Sequence, residues 1–330
     1  MRELDLQIDD FMLECETKGL SKRTMSSYEG TIRLLAEYLE KECGIEDAKD
    51  VRELHLKSYI KYLQERGKYT VVVNENTKAS NSPEKRRDYK EKLDDVTINN
   101  YVRNIKVFFN YLYFEKIIRT NPVERIKKKK TSRKPKYFIK DSELIKLLNN
   151  FTLSLFHEYR DKIITELILD TGMRLGETLL IEVTHVDLSK RCILLPAENT
   201  KGKRDRYVFF SKKMALELKR WLQYKDRYVN SKYLFCTKRG EHLEVQYFEK
   251  NFSKYTERVG LKEVSPHTLR NNFAKRFLMK GGDIYALSRI LGHSSVKVTE
   301  EAYLDLEDDD LNEIYQKYSP LANLKSKRGI

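Results

Sequence analysis

The sequence contains no run of eighteen apolar residues, so it offers no helix suited to crossing a bilayer. Its N-terminus, Met1-Arg2-Glu3-Leu4-Asp5, carries charges where a secretory leader needs an apolar stretch. Cysteine is scarce: Cys15, Cys43, Cys192 and Cys236 stand far apart and form no CxxC pair. That spacing argues against a disulfide framework or a zinc site, and for reduced, mostly buried thiols. The six histidines include no HExxH, and the chain has neither a P-loop nor a carboxylate cluster of metal-binding type. The expectation is therefore a cytoplasmic protein with no membrane partner and no metal or other cofactor.

What is present is length and positive charge. The 330 residues suffice for two ordinary domains, and an apolar fraction of 40% beside a charged fraction of 35% fits large polar surfaces. The net charge is +14 and the pI about 9.3. Such a surplus favours a polyanionic partner, because each Lys or Arg that meets a phosphate releases condensed counterions. Charge alone fits RNA or simple solubility as well as DNA.

Helical periodicity dominates the first part. Leu4, Ile8, Phe11 and Cys15 mark one helix, and Tyr28, Ile32, Leu35 and Leu39 a second behind the polar start Ser21-Lys22-Arg23-Thr24. Leu56, Tyr59, Ile60 and Leu63 mark a third; Ile98, Tyr101, Val102, Ile105, Phe108, Phe109 and Leu112 mark the fourth and strongest. Four such stripes predict a small bundle over residues 1–126. A polar stretch at about 67–95 interrupts it and reads as a long exposed loop, with a possible hairpin around Tyr69 to Val73. Residues 127–136 follow, seven of the ten being Lys or Arg: Lys127, Lys128, Lys129, Lys130, Arg133, Lys134 and Lys136. Repulsion and Pro135 mark this run as a linker, either a solvated tether or a strap along a DNA backbone.

From Tyr137 onward the pattern is mixed. Asp141 is placed as the cap of a helix carrying Leu144, Leu147 and Leu148. The β-like runs 191–195 and 207–210 flank the polar turn Asn199-Thr200-Lys201-Gly202-Lys203, predicting a hairpin and a small antiparallel sheet. Helices resume near Lys213 and reach the end of the chain. The expected fold class is mainly α, a helical bundle followed by a mixed α+β domain over 137–330 with a tail at about 306–330.

Five local features invite chemistry. In Thr171-Gly172-Met173-Arg174-Leu175-Gly176-Glu177, Gly172 permits a tight bend and Arg174 stands at the next helix start. Lys201 sits at a turn tip, where a lysine is ordinarily just solvated. In Ser265-Pro266-His267-Thr268-Leu269-Arg270, Ser265 suits an N-cap and Pro266 the first helical position. His267 and Arg270 then share one face, a cation pair at the positive end of a helix that a bound anion would relieve. Ile290-Leu291-Gly292-His293 reads as a glycine helix stop followed by a turn histidine. Thr299-Glu300-Glu301-Ala302-Tyr303 ends on one of 21 tyrosines. Each feature alone has an ordinary explanation in surface, cap or turn.

Together and in this order they are specific. Arg174, Lys201, His267, Arg270, His293 and Tyr303, within TGMRLGE, SPHTLR, LGHSS and TxxxY, resemble the conserved set of the tyrosine-recombinase, or phage-integrase, family. The resemblance covers nearly the whole chain. It implies a SAM-like core-binding domain at 1–126, a basic linker and a catalytic domain that clamp duplex DNA at a specific recombination site. Arg174, Arg270 and His293 would donate hydrogen bonds to the non-bridging oxygens of the scissile phosphate. Tyr303 would attack phosphorus, with His267 as base and Lys201 as the acid that protonates the leaving 5′-oxygen. Glu177 would sit behind these groups and orient one of them. Lys127, Lys128, Lys129, Lys130, Arg133, Lys134 and Lys203 would meet the DNA. The amphipathic tail, with Leu311, Ile314, Tyr315, Tyr318 and Leu321, would dock on a neighbouring copy in a homo-tetramer.

The chain looks like simple Xer-type or transposon members without an arm-binding domain. Two departures stand out: Asn271-Asn272 where many relatives carry a histidine or hydroxyl residue, and the polar insertion at about 67–95. Three other readings stay open at this point. They are a type IB topoisomerase-like relaxing enzyme, a DNA-binding accessory protein with a decayed site, and a metal-dependent nuclease.

Overall fold

The computed structural model describes residues 2–71, 82–131, 137–200, 204–303, 312 and 315–319, with the backbone alone for 301–303. The chain divides into two units, Met1–Arg133 and Lys134–Ile330.

The first unit is a bundle of α1 (Glu3–Thr17), α2 (Lys22–Cys43), α3 (Glu53–Glu65) and α4 (Asp95–Phe114). The stripes read from the sequence form its core: Leu4, Ile8, Phe11, Ile32, Leu35, Leu39, Leu56, Tyr59, Leu63, Ile105, Phe108, Phe109 and Leu112 are all buried. Ser21 caps α2 by accepting from the Thr24 amide at 3.2 Å, and Gly44 ends it at φ 63°. Asn104 is a buried polar residue of this core, and its amide donates to the Ser27 carbonyl and to Thr31 Oγ1 at 3.1 and 3.0 Å. Such satisfied polar contacts fix how α4 sits against α2.

The polar insertion has a defined stem. Gly67 bridges Lys92, the Lys68 amide donates to the Glu91 carbonyl, and the Lys90 amide donates to the Lys68 carbonyl. The hairpin expected around Tyr69 to Val73 runs beyond the described residues. Lys127, Lys128, Lys129 and Lys130 are exposed and extended. The run is docked where it begins: Asn99 donates to the Lys129 carbonyl at 2.8 Å and accepts from its amide at 2.9 Å.

The second unit is built around α6 (Phe156–Thr171), which is buried on nearly every side and packs against α8 (Lys212–Asp226) and α10 (Pro266–Met279). The other helices are α5 (Asp141–Leu148), α7 (Leu175–Leu179), α9 (Val245–Arg258), α11 (Ile284–Leu291) and α12 (Val296–Tyr303). Asp141 is not the cap of α5. Lys140 holds that position and its amide donates to Glu143 at 2.8 Å, so the first acidic residue lies inside the helix. The hairpin is present as β2 (Cys192–Leu195) and β3 (Arg206–Phe209), paired antiparallel from Cys192 opposite Phe209 to Leu195 opposite Arg206. A short third strand, β1 (Val186–Asp187), pairs with β2 and carries no signal long enough to read from sequence.

A charged knot lies inside this unit. Arg160 donates Nε to Asp161 at 2.9 Å and Nη1 to the Cys236 carbonyl at 2.9 Å, while the Tyr255 hydroxyl donates to the other Asp161 oxygen at 2.9 Å. Arg160 and Asp161 are both essentially closed to solvent. Asp161→Ala leaves the buried guanidinium without its carboxylate and is expected to cost about 3–5 kcal/mol of unfolding free energy. The lone tryptophan, Trp221, is buried in the same unit, so its fluorescence during urea unfolding reads that change directly. A loss below about 1 kcal/mol, the worth of an ordinary hydrogen bond, would contradict the role given to this pair.

Candidate active site

Two glycine helix stops and a capped helix start shape the site. Helix α6 stops at Gly172, whose φ is +68° and where an added Cβ would lie 2.4 Å from Phe273 and 2.8 Å from Leu291. Only glycine fits both the left-handed turn and that close approach. The chain then turns at Met173, and Arg174 follows as the cap residue of α7. Helix α11 stops in the same manner at Gly292, φ +64°, and His293 comes next. Ser265 caps α10 by accepting from the Thr268 amide at 3.2 Å, with Pro266 in the first turn.

These stops bring three of the anticipated residues together. Arg270, 2% exposed, donates Nη1 to the Gly172 carbonyl at 2.6 Å and Nη2 to the Leu291 carbonyl at 2.9 Å. The same Nη2 lies 3.0 Å from His293 Nε2. Arg174 Nη2 reaches the Gly292 carbonyl at 3.5 Å. Carbonyls left over at two helix ends therefore aim two guanidiniums. An arginine has no acceptor, so His293 Nε2 accepts and the ring proton is assigned to Nδ1. That Nδ1 faces Thr299 Oγ1 at 2.8 Å, and Thr299 is fully buried.

Glu177, 4% exposed, supplies the one carboxylate among these contacts. Its Oε1 accepts from Arg174 Nη1 at 2.9 Å, and its Oε2 from Arg206 Nη2 at 2.5 Å and from the Arg174 amide at 3.2 Å. Burial pulls the Arg206 guanidinium below its usual pKa; the charge of Glu177 opposes this and that of nearby Arg174 reinforces it.

His267 is exposed in the first turn of α10, one turn before Arg270. Tyr303 is the last residue of α12. Lys201, Lys203, Arg133 and Lys134 lie outside the described residues. In the tail, Leu311, Ile314 and Leu321 lie outside them as well. Residues 315–318 form a helical turn in which Lys317 Nζ donates to the Lys280 carbonyl at 3.3 Å.

Comparison with known proteins now bears on this geometry. Residues 138–310 match the model of the phage integrase family, and residues 6–131 match the phage integrase SAM-like domain. The chain belongs to the phage integrase family. It is 30% identical to tyrosine recombinase XerC of Thermodesulfovibrio yellowstonii, over 69% of this chain and 77% of that one. It is 26% identical to tyrosine recombinase XerC of Oceanobacillus iheyensis, over 98% of this chain and 99% of that one. The fold resembles that of XerH site-specific recombinase bound to palindromic difH substrate, with a TM-score of 0.67 and 21% identity over 91% of this chain and 81% of that one.

Three positions in this integrase site escaped sequence reasoning. Arg206 has an inward register: on β3 it shares a face with buried Val208, while Tyr207 and Phe209 point out. An arginine in register with a core valine was the signal available. Thr299 was visible only as the first letter of TxxxY, with nothing to mark its hydroxyl as a histidine partner. Asn272, noted as a departure, is a brace: it accepts from the Ile139 amide at 2.9 Å and donates to the Thr268 carbonyl at 2.9 Å. It thus ties the segment that enters the unit to the helix bearing His267 and Arg270.

If Thr299 sets the His293 ring, Thr299→Val slows single-turnover DNA cleavage about tenfold, because a buried ring nitrogen loses its partner. Thr299→Ser keeps the hydroxyl and stays near the wild-type rate. Equal loss in both variants, or none in either, would show that the contact does not matter to the reaction.

Proposed function

We propose that the Arg174–Arg270–His293 cluster holds the scissile phosphodiester of a specific DNA site, and that Tyr303 exchanges that linkage for a covalent one. The chain is a tyrosine-type site-specific recombinase, and DNA is its partner. The observation that carries the residue-level reading is the convergence of three separate segments: Arg270 and Arg174 meet the carbonyls of Gly172, Leu291 and Gly292, and His293 meets Arg270. Planar guanidinium forks suit phosphate oxygens, and donors held in place before reaction stabilise the charge that those oxygens gain in the five-coordinate transition state.

The Tyr303 oxygen forms a bond to phosphorus, the bond from phosphorus to the 5′-oxygen breaks, and a 3′-phosphotyrosyl link and a 5′-hydroxyl result. A phenol with a pKa near 10 needs a proton acceptor. His267 takes that role, and Lys201 gives a proton to the departing 5′-oxygen. The covalent link conserves the phosphodiester energy, so rejoining to a second strand consumes no nucleotide. As phosphate takes over an Arg270 donor, the single ring proton of His293 moves through solvent from Nδ1 to Nε2, which then donates. The Thr299 hydroxyl serves either state, since it both donates and accepts.

Lys127 to Lys130, with Arg133, Lys134 and Lys203, follow the backbone phosphates. Residues 1–126 form the core-binding half of the clamp, 127–136 the strap, and 137–330 the catalytic half. The tail at about 306–330 joins copies into a tetramer on DNA. Support for these assignments is the exposed lysine run and the order of the two family regions.

The test is covalent capture. The protein is incubated with fragmented source DNA in EDTA and denatured, and protein-linked DNA is recovered and sequenced. Wild type is expected to link to discrete fragments and Tyr303→Phe to none. Arg270→Ala is expected to slow linkage by about 10²–10³-fold, the usual worth of one preorganised donor. Linkage that requires a metal ion, or that survives Tyr303→Phe, would overturn the mechanism; site-independent relaxation of supercoiled plasmid would favour a topoisomerase instead.

A further inference from the structure

Arg206 belongs to no motif by which the family was recognised, yet its side chain joins Glu177 to the end of α11. It stands where the hairpin closes: Leu195 opposite Arg206 is the last register pair, and Lys201 lies in the sequence between these two residues. The loop is braced on that side. The Ala197 amide donates to Asp205 at 2.6 Å, and the Thr200 hydroxyl bonds the Arg204 carbonyl at 3.0 Å and accepts from its amide at 3.2 Å. Arg206 then connects this braced loop to two other segments. Nη2 binds Glu177, the carboxylate that also holds Arg174, and Nη1 donates to the Ile290 carbonyl at 2.8 Å, three residues before His293. The guanidinium lies so close to Gly292 that a Cβ there would sit 2.8 Å from Arg206 Nε. An apolar side chain would pack β3 against α11 equally well. A half-buried second cation beside Arg174 has no packing advantage and is disfavoured by burial.

We infer that Arg206 is a positioning residue that locks the Lys201 hairpin to Glu177 and to the end of α11, setting the leaving-group acid in register with the phosphate-binding groups. This rests on the function proposed above, with Lys201 as the acid. A loop whose base shifts by about 1 Å misplaces a proton donor enough to cost about 10²-fold in rate. Phosphate binding by Arg270, which reaches its carbonyls independently of Arg206, and by His293, held by Arg270 and Thr299, is left in place.

The experiment compares two duplexes carrying the captured site. One has the natural 5′-bridging oxygen; the other has sulfur there. With sulfur, the phosphorus–sulfur bond breaks to release a thiolate, the anion of a group with a pKa of about 8.5, which needs no proton from an acid. Arg206→Met is expected to bind both duplexes with wild-type affinity, to cleave the oxygen duplex about 10²-fold more slowly, and to cleave the sulfur duplex within about threefold of wild type. Equal loss on both duplexes, weakened binding, or no loss would overturn the inference. Should Arg206→Met not fold, as judged by Trp221 fluorescence, Arg206→Lys is read by the same criterion. It keeps the charge facing Glu177 but does not span to Ile290. Lys201→Ala is the control. If sulfur rescues it and not the Arg206 variants, the positioning role alone fails. If sulfur does not rescue Lys201→Ala, the acid assignment and this inference fall together.

Discussion

One buried carboxylate organises the catalytic corner. Glu177 shares its two oxygens between Arg174 and Arg206, at 2.9 and 2.5 Å, and its position follows from the turn that Gly172 allows. Two guanidiniums on one carboxylate leave a local excess of positive charge that only an anion offsets. Within a partly closed site such an excess is costly. In the proposed mechanism that anion is the scissile phosphate. The same carboxylate joins the corner after α6, the return strand of the hairpin and, through Arg206, the end of α11.

Backbone carbonyls do the remaining work. Every helix leaves its last carbonyls unbonded. Here the stops at Gly172 and Gly292, with Leu291 beside the second, turn those carbonyls toward Arg270 and Arg174. The protein thus aims two of its cations without further carboxylates that would compete with the substrate. His293 is held between Arg270 and Thr299, on the helix that ends in Tyr303. Orientation of Arg270 and of the helix that ends in Tyr303 is linked by that one ring.

Much of this was legible in the sequence, and the reasons are local. Gly172 and Gly292 announced helix stops because left-handed turns favour glycine. Ser265-Pro266 announced a helix start, and the apolar stripes from Leu4 to Leu112 gave the bundle. Arg174, Arg270 and His293 were recognisable by order and flanking residues. What stayed hidden depends on contacts between distant segments. Arg206 meets Glu177 across 29 positions and Ile290 across 84, and no periodicity encodes such a meeting. Asn272 looked like a family departure until its partner Ile139, 133 positions away, gave it a purpose. The two-residue strand β1 is too short for any alternation to register, and the misplaced cap at Asp141 reflects a contest between neighbouring acids that Glu143 wins by reaching back to the Lys140 amide.

The central claim is that this cation cluster presents a phosphodiester to one tyrosine among 21. The most direct measurement is peptide mapping of the trapped protein–DNA adduct after nuclease and protease digestion. A nucleotide joined through its 3′-phosphate to Tyr303, with a free 5′-hydroxyl on the other DNA end, is the expected result. A nucleotide on any other side chain, or a link through a 5′-phosphate, would contradict it.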